Sequence, residues 1–84
     1  MPRYHFHLAD GGRDPDNEGV ELADIQAARL AAVQFAGDLL RDSPQELWEK
    51  GTWRVEVTDE RNILLCTVVT LAIDAPTPVL EPAA

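Results

Sequence analysis

The chain has 84 residues, with 7 basic and 15 acidic side chains and a formal net charge of −8. This length suits one domain, and the acidic balance without a Lys/Arg cluster argues against binding to nucleic acid or to an anionic membrane surface. A single cysteine, Cys66, excludes an internal disulfide, and no apolar run is long enough for a signal sequence or a membrane span, so we expect a cytoplasmic protein.

The first predicted element is a strand over residues 3–8, because apolar and polar side chains alternate there. Its apolar face carries Tyr4, Phe6 and Leu8. His5 and His7 lie on the opposite face, which we expect to be polar and in contact with water. Residues 10–18 follow as an acidic loop, and the short run 19–22 is predicted to be an extended segment that pairs with the first strand at its edge.

A helix is predicted over residues 25–41, with Asp24 as its N-cap. One apolar stripe at helical spacing consists of Ile25, Ala28, Ala32, Phe35 and Leu39. A second apolar set lies off this stripe and consists of Leu30, Val33 and Leu40. A helix that is apolar on more than one face is either covered on two sides or in contact with a partner. For the second case, we take this second set as candidate interaction residues.

A second, short helix is predicted from Ser43, which has the spacing of a capping box with Pro44 at the first helical position. Gly51 is placed to end it. This helix carries Trp48, a fourth candidate interaction residue, whereas Trp53 is expected in the core.

The remaining chain predicts two strands and a tail. Residues 53–58 alternate, residues 59–62 have the length of a hairpin loop, and residues 63–73 are almost entirely apolar or β-branched. Such a run is typical of a strand buried on both faces, which predicts a central position and the spatial order first, third, second. Residues 74–84 contain three prolines and are predicted to be a flexible tail, which leaves 1–73 as the domain.

These elements predict an α+β fold in the chain order β-α-β-β. The sheet has three strands, or four with the short edge segment, and is antiparallel or mixed. One main helix packs on one face of the sheet, which is the simplest arrangement that buries both apolar surfaces.

The His-x-His pair is the first candidate site. Side chains two apart on a strand leave the same face, so His5 and His7 are candidates for binding one metal ion, with Asp10 as a third ligand. The alternative is that both histidines are surface or hydrogen-bonded residues of the outer sheet face. No third ligand is secured by the sequence, so no metal and no cofactor is assigned.

The acidic loop is the second candidate site. Asp14, Asp16, Glu18 and Gly19 match positions 1, 3, 5 and 6 of an EF-hand-like calcium loop. The position of the bidentate glutamate is taken by Ile25, so a solvated acidic turn is the preferred interpretation. No nucleophile with a neighbouring base is visible, and we expect a protein that is not an enzyme.

Six segments of the chain form a further pattern: Pro2-Arg3-Tyr4, Phe6-His7, Asp10-Gly11, residues 18–22 with Asp24, Ala27-Ala28-Arg29 and residues 53–60. In these segments the chain resembles the DUF6894 family of small alphaproteobacterial proteins of unknown function. The resemblance implies a small cytoplasmic protein with no assigned activity and no established catalytic residues. His7 lies on the family pattern and His5 departs from it, which puts a two-histidine metal site in doubt.

Three hypotheses follow for the function. The first is a non-enzymatic protein-interaction module that acts as a homodimer. The second is a metal- or small-ligand-binding protein that uses His7 with His5 and Asp10. The third is an antitoxin-like regulator, based on a looser architectural similarity to HicB-like antitoxin domains.

Overall fold

The computed structural model describes residues 1–9 and 13–76, and only the backbone of residues 13 and 14. Its strands are β1 (Arg3–Ala9), β2 (Arg13–Asp14), β3 (Val20–Glu21), β4 (Thr52–Thr58) and β5 (Leu64–Leu71). Its helices are α1 (Ile25–Asp42) and α2 (Pro44–Lys50). The α+β class is confirmed. Residues 77–84 lie outside the described residues, so the flexible tail stays a prediction.

All strand pairs are antiparallel, and the sheet has the order β2-β1-β4-β5, with β3 paired to the other end of β1. The predicted spatial order is therefore wrong, because β4 lies between β1 and β5. The hairpin loop after Thr58 sets β5 directly beside β4, and β1 takes the remaining side of β4. The strand predicted to be buried on both faces is an edge strand with one face exposed.

Two short strands lie along β1. The segment after Gly19 pairs as predicted, with Val20 opposite Tyr4 and Glu21 opposite Arg3. Strand β2 pairs with the far end of β1 and was not predicted, because two residues inside an acidic loop carry no alternation. Together these segments line the side of β1 that faces away from β4.

Helix α1 begins at the predicted N-cap, where the Asp24 carboxylate accepts a hydrogen bond of 2.9 Å from the Ala27 N–H. The helix packs on the sheet through three small buried residues, Ala28, Ala32 and Ala36. They form the core together with Tyr4, Val55 and Val57. Larger side chains surround this centre and are only partly buried: Phe6, Leu22, Ile25, Phe35, Leu39, Cys66 and Val68.

The junction between the helices differs in one detail from the prediction. Gly51 ends α2 with φ at 84°, a backbone conformation that favours glycine, as predicted. Ser43, however, makes no capping bond with its side chain. Its backbone N–H donates to the Leu39 carbonyl at 2.9 Å, so its conformation is set by the end of α1 rather than by the start of α2.

Candidate functional site

The outer sheet face, opposite α1, is covered at β1. His7 is 5% exposed and Thr58 is 3% exposed, so the expectation that this face meets water is wrong for both residues. The chain between β2 and β3 contacts both histidines through Asp16, which removes His7 from solvent. Burial of these two polar side chains requires that their hydrogen-bonding groups find partners within the protein.

The hydrogen bonds of His7 determine its protonated nitrogen. The backbone N–H of Asp16 donates to Nδ1 at 2.9 Å, and this N–H can only donate. Nδ1 is therefore an acceptor, and the neutral ring carries its proton on Nε2. Nε2 lies 2.8 Å from the Thr58 hydroxyl oxygen and donates to it. Both ring nitrogens of His7 are thus engaged in bonds that join β1, β4 and the covering loop.

His5 uses its Nδ1 atom in the opposite way. Its Nδ1 lies 3.0 Å from the backbone carbonyl oxygen of Asp16, which can only accept, so Nδ1 carries the proton. The two imidazoles stack with their centroids 6.2 Å apart and an angle of 11° between the rings. Asp16 therefore uses its backbone N–H for one histidine and its backbone carbonyl for the other. The Nε2 atom of His5 has no hydrogen bond to the described residues.

The Asp16 carboxylate bonds to backbone on both sides of the loop. Oδ1 accepts from the N–H groups of Glu18 and Gly19, each at 3.1 Å, and Oδ2 accepts from the Phe6 N–H at 3.2 Å. Burial raises the pKa of this carboxyl, but the three backbone donors and the nearby charge of His5 outweigh it, so the pKa is lowered. Asp16 is therefore ionised at neutral pH.

Gly19 allows this loop to lie against β1. Its φ is 72°, and a Cβ atom there would lie 2.8 Å from the Tyr4 carbonyl oxygen and 2.9 Å from Cε1 of His5. The sequence analysis compared Asp16 and Gly19 with a calcium loop and preferred a solvated acidic turn, and it missed their role in closing the loop on β1. The available signal was an Asp three residues before a Gly, a spacing typical of a turn closed by the carboxylate.

The metal-binding predictions stay predictions. No group of three or more His, Cys, Asp or Glu side chains is arranged to hold a metal ion in the part of the chain that is described. Asp10 lies outside the described residues, as does the side chain of Asp14. Of the remaining candidates, His7 has both ring nitrogens in hydrogen bonds, and Asp16 directs three of its acceptor positions at backbone N–H groups.

Two hollows flank the Asp16 loop. A polar hollow of about 400 Å³ lies on the outer face, beside both histidines and the hairpin loop that follows β4. In that hairpin, bonds from the backbone N–H of Ile63 and of Arg61 lower the pKa of the Asp59 carboxyl. An apolar groove of about 610 Å³ lies on the other side of the loop, between α1 and β1.

The predicted interaction residues fall into two groups. Leu30, Val33 and Trp48 are more than half exposed, and Leu40 is half-buried. Trp53 is buried in the core as expected, although its indole N–H has no acceptor among the described residues. The exposed helix residues remain available for a partner.

Strand β5 presents an apolar surface that sequence reasoning placed in the interior. Leu64, Val69, Leu71 and the following Ile73 are each at least half exposed. Within the described part of the chain, β5 pairs only with β4, so its other side is open. We call this open side, with the exposed side chains of residues 64–73, the β5 edge.

Comparison with known proteins gives one match. The family model with the description Domain of unknown function (DUF6894) matches residues 3–72. Neither the curated proteins nor the solved structures contain a match to the chain. Among the helices that the structure describes, none has the length and apolar character needed to cross a membrane.

Proposed function

Since the chain belongs to the DUF6894 family, a domain of unknown function, we propose from its structure that it is a non-enzymatic protein-interaction module that forms a homodimer through the β5 edge. The observation that carries the proposal is the contrast between the two sides of the sheet. One side is covered by the protein's own chain, and the other is left open by the described residues and is uncharged.

The β1 side of the sheet is closed against further strands. β2 pairs with one end of β1 and β3 with the other. Between them, the Phe6 N–H donates to the Asp16 carboxylate, which occupies a position where an added strand would place a carbonyl group. This arrangement protects β1 from pairing with another chain.

The β5 edge has little such protection. Residues 63–73 contain no charged side chain and no proline, in a chain that carries 22 charged residues. Val69 is 58% exposed and Leu71 is 61% exposed. Edge strands of monomeric proteins are usually guarded by lysine, proline or a cover, and β5 has only one irregularity in its pairing, near Thr58. An unguarded apolar edge is typical of a strand that pairs with a second chain.

A second copy is the partner that charge and symmetry favour. Each chain carries a net charge of −8, so two copies repel one another over most of their surface. The repulsion is least where the facing surfaces are uncharged, as they are along β5. Antiparallel pairing of β5 with its own copy about a two-fold axis gives each chain the same contacts and closes the open edge of both.

The proposal is tested by placing a charge on the β5 edge. Val69→Lys should convert the dimer into a monomer in size-exclusion chromatography with light scattering, because it places a lysine on each of the two paired strands. Leu30→Lys is the matched control, since Leu30 is 67% exposed on α1, and it should remain dimeric. Both substitutions are at exposed positions and should leave the thermal unfolding of the isolated fold nearly unchanged.

Two results would contradict the proposal. One is a wild-type chain that stays monomeric into the millimolar range. The other is a dimer that survives Val69→Lys but dissociates with Leu30→Lys, which would place the contact on α1 instead. Added salt offers a further check, because screening of the mutual repulsion should strengthen a dimer held by an uncharged contact.

A further inference from the structure

The apolar groove between α1 and β1 takes no part in dimerisation through the β5 edge. The apolar residues that line it include Phe6, Leu8, Val20, Ala31, Phe35 and Leu39. Its volume of about 610 Å³ lies within the range of small-molecule sites. It is on the β1 side of the sheet, whereas the β5 edge is on the opposite side.

The groove exists because the helix–sheet contact is centred elsewhere. α1 approaches the sheet through alanines, which pack closely over β4. At the β1 side the larger rings of Phe6 and Phe35 are only partly buried, and they line the groove instead of closing it. An apolar ligand in the groove would remove their remaining exposed surface from water, which is favourable.

Asp16 is the one charged residue among the described side chains that line the groove. An ionised carboxylate has about four acceptor positions, and three of them are used by Phe6, Glu18 and Gly19. The remaining position is on Oδ2, since Oδ1 already accepts two bonds. The backbone bonds also hold the carboxylate in a fixed orientation at the groove.

We propose that this groove binds a small amphipathic cation, with an apolar body between α1 and β1 and an ammonium group that donates to Asp16 Oδ2. A carboxylate can only accept, so the ligand group that faces it must be a donor, and a cationic donor makes the stronger bond. The net charge of −8 attracts cations and repels carboxylates and phosphates, which disfavours anionic ligands of the same shape.

The test uses three probes with the same apolar body: phenylbutylamine, phenylbutanol and phenylbutyrate. Two-dimensional proton–nitrogen NMR spectra of the full chain are recorded during titration with each probe. The amine should shift the amide signals of Phe6, Ala31 and Phe35, and it should bind at least about tenfold more tightly than the alcohol, with the acid weakest. Equal binding of the three, or no shift at the groove at millimolar amine, overturns the proposal.

Two variants locate the site. Ala31→Trp should fill the groove and abolish amine binding, whereas Leu30→Trp, one residue away on the exposed face of α1, should bind as the wild type does. Asp16→Asn should remove the preference for the amine over the alcohol. Amine binding that survives Ala31→Trp would overturn the proposal, and Val69→Lys should leave binding unchanged, which separates this site from dimerisation.

Discussion

The ring of His7 and the hydroxyl of Thr58 share a buried hydrogen bond of 2.8 Å that joins β1 to β4 on the outer face of the sheet. The two residues are diagonal neighbours, because His7 pairs with Glu56 and Thr58 pairs with His5. On its other nitrogen His7 accepts the Asp16 N–H. A residue that the sequence suggests as a metal ligand therefore also acts as a fixed link between two strands and a loop.

His7→Ala should destabilise the fold strongly. The change removes the hydrogen-bond partner of the Asp16 N–H and of the Thr58 hydroxyl. Each buried group left without a partner lowers the stability of the fold by about 1–3 kcal/mol. We expect the free energy of unfolding to fall by about 3 kcal/mol in urea denaturation. Thr58→Val should cost less, because it removes one partner and keeps the shape of the side chain.

The matched control is His5→Ala, which removes one bond, to the Asp16 carbonyl, from a partly buried ring. His5→Ala should lower the free energy of unfolding by about 1 kcal/mol or less. The double variant His7→Ala with Thr58→Val should be less destabilised than the sum of the single changes, because the two residues share one interaction. Equal costs for His5→Ala and His7→Ala would refute the structural role of His7.

Two glycines should respond to alanine with opposite signs. Gly19→Ala forces a Cβ atom to within 2.8 Å of a backbone oxygen at a φ of 72°, and we expect it to cost about 2 kcal/mol or more. Gly37 lies within α1, and a Cβ atom there meets nothing within 4 Å. Gly37→Ala should therefore stabilise the chain by about 0.5–1 kcal/mol through helix propensity.

Thermal and urea unfolding of both variants provide the measurement. A Gly19→Ala variant as stable as the wild type would mean that the loop does not lie against β1 in solution. A neutral or destabilising Gly37→Ala would mean that the outer face of α1 is covered in the protein studied, which points to a partner on that face.

Helix capping gives another matched pair. Asp24 accepts from the Ala27 N–H, so Asp24→Ala should lower the free energy of unfolding by about 1 kcal/mol. Ser43 occupies the equivalent position before α2 but makes no side-chain bond. Ser43→Ala should therefore change the free energy of unfolding by less than about 0.5 kcal/mol. A larger loss at Ser43 than at Asp24 would contradict the assigned caps.

Local signals explain what the sequence could predict. The cap at Asp24, the helix end at Gly51 and the alternation along β4 depend on residues close in the chain, and each is found where it was expected. Strand β5 shows the limit of such signals. An apolar run is the same in sequence whether it is buried on both faces or left open at an edge, and only the pairing of distant segments decides.

The Asp16 site shows the same limit for function. Alternation placed His5 and His7 on one face correctly, but the burial of His7 depends on a loop that returns nine residues later and on Thr58, fifty-one residues away. The apolar groove likewise depends on how far α1 lies from β1. Neither the burial of His7 nor the separation of α1 from β1 follows from the spacing of residues within one element.

The ionisation of Asp16 makes the stability of the fold depend on acid. The pKa of this carboxyl is lower in the folded chain than in the unfolded chain, where it is about 3.9. Its contribution to stability is therefore fully present above that value and is lost as the pH falls through the folded pKa. Asp16→Asn should lower the free energy of unfolding by about 1–2 kcal/mol at neutral pH, because backbone donors lose a charged acceptor.

The difference between wild type and Asp16→Asn should shrink as the pH falls from about 5 toward the folded pKa, since protonated Asp16 also lacks the charge. Urea denaturation across this range provides the measurement. Glu49→Gln, at an exposed position on α2, is the control for the loss of one charge and should run parallel to the wild type. A difference for Asp16→Asn that stays constant down to the lowest pH would show that the backbone bonds do not depend on ionised Asp16.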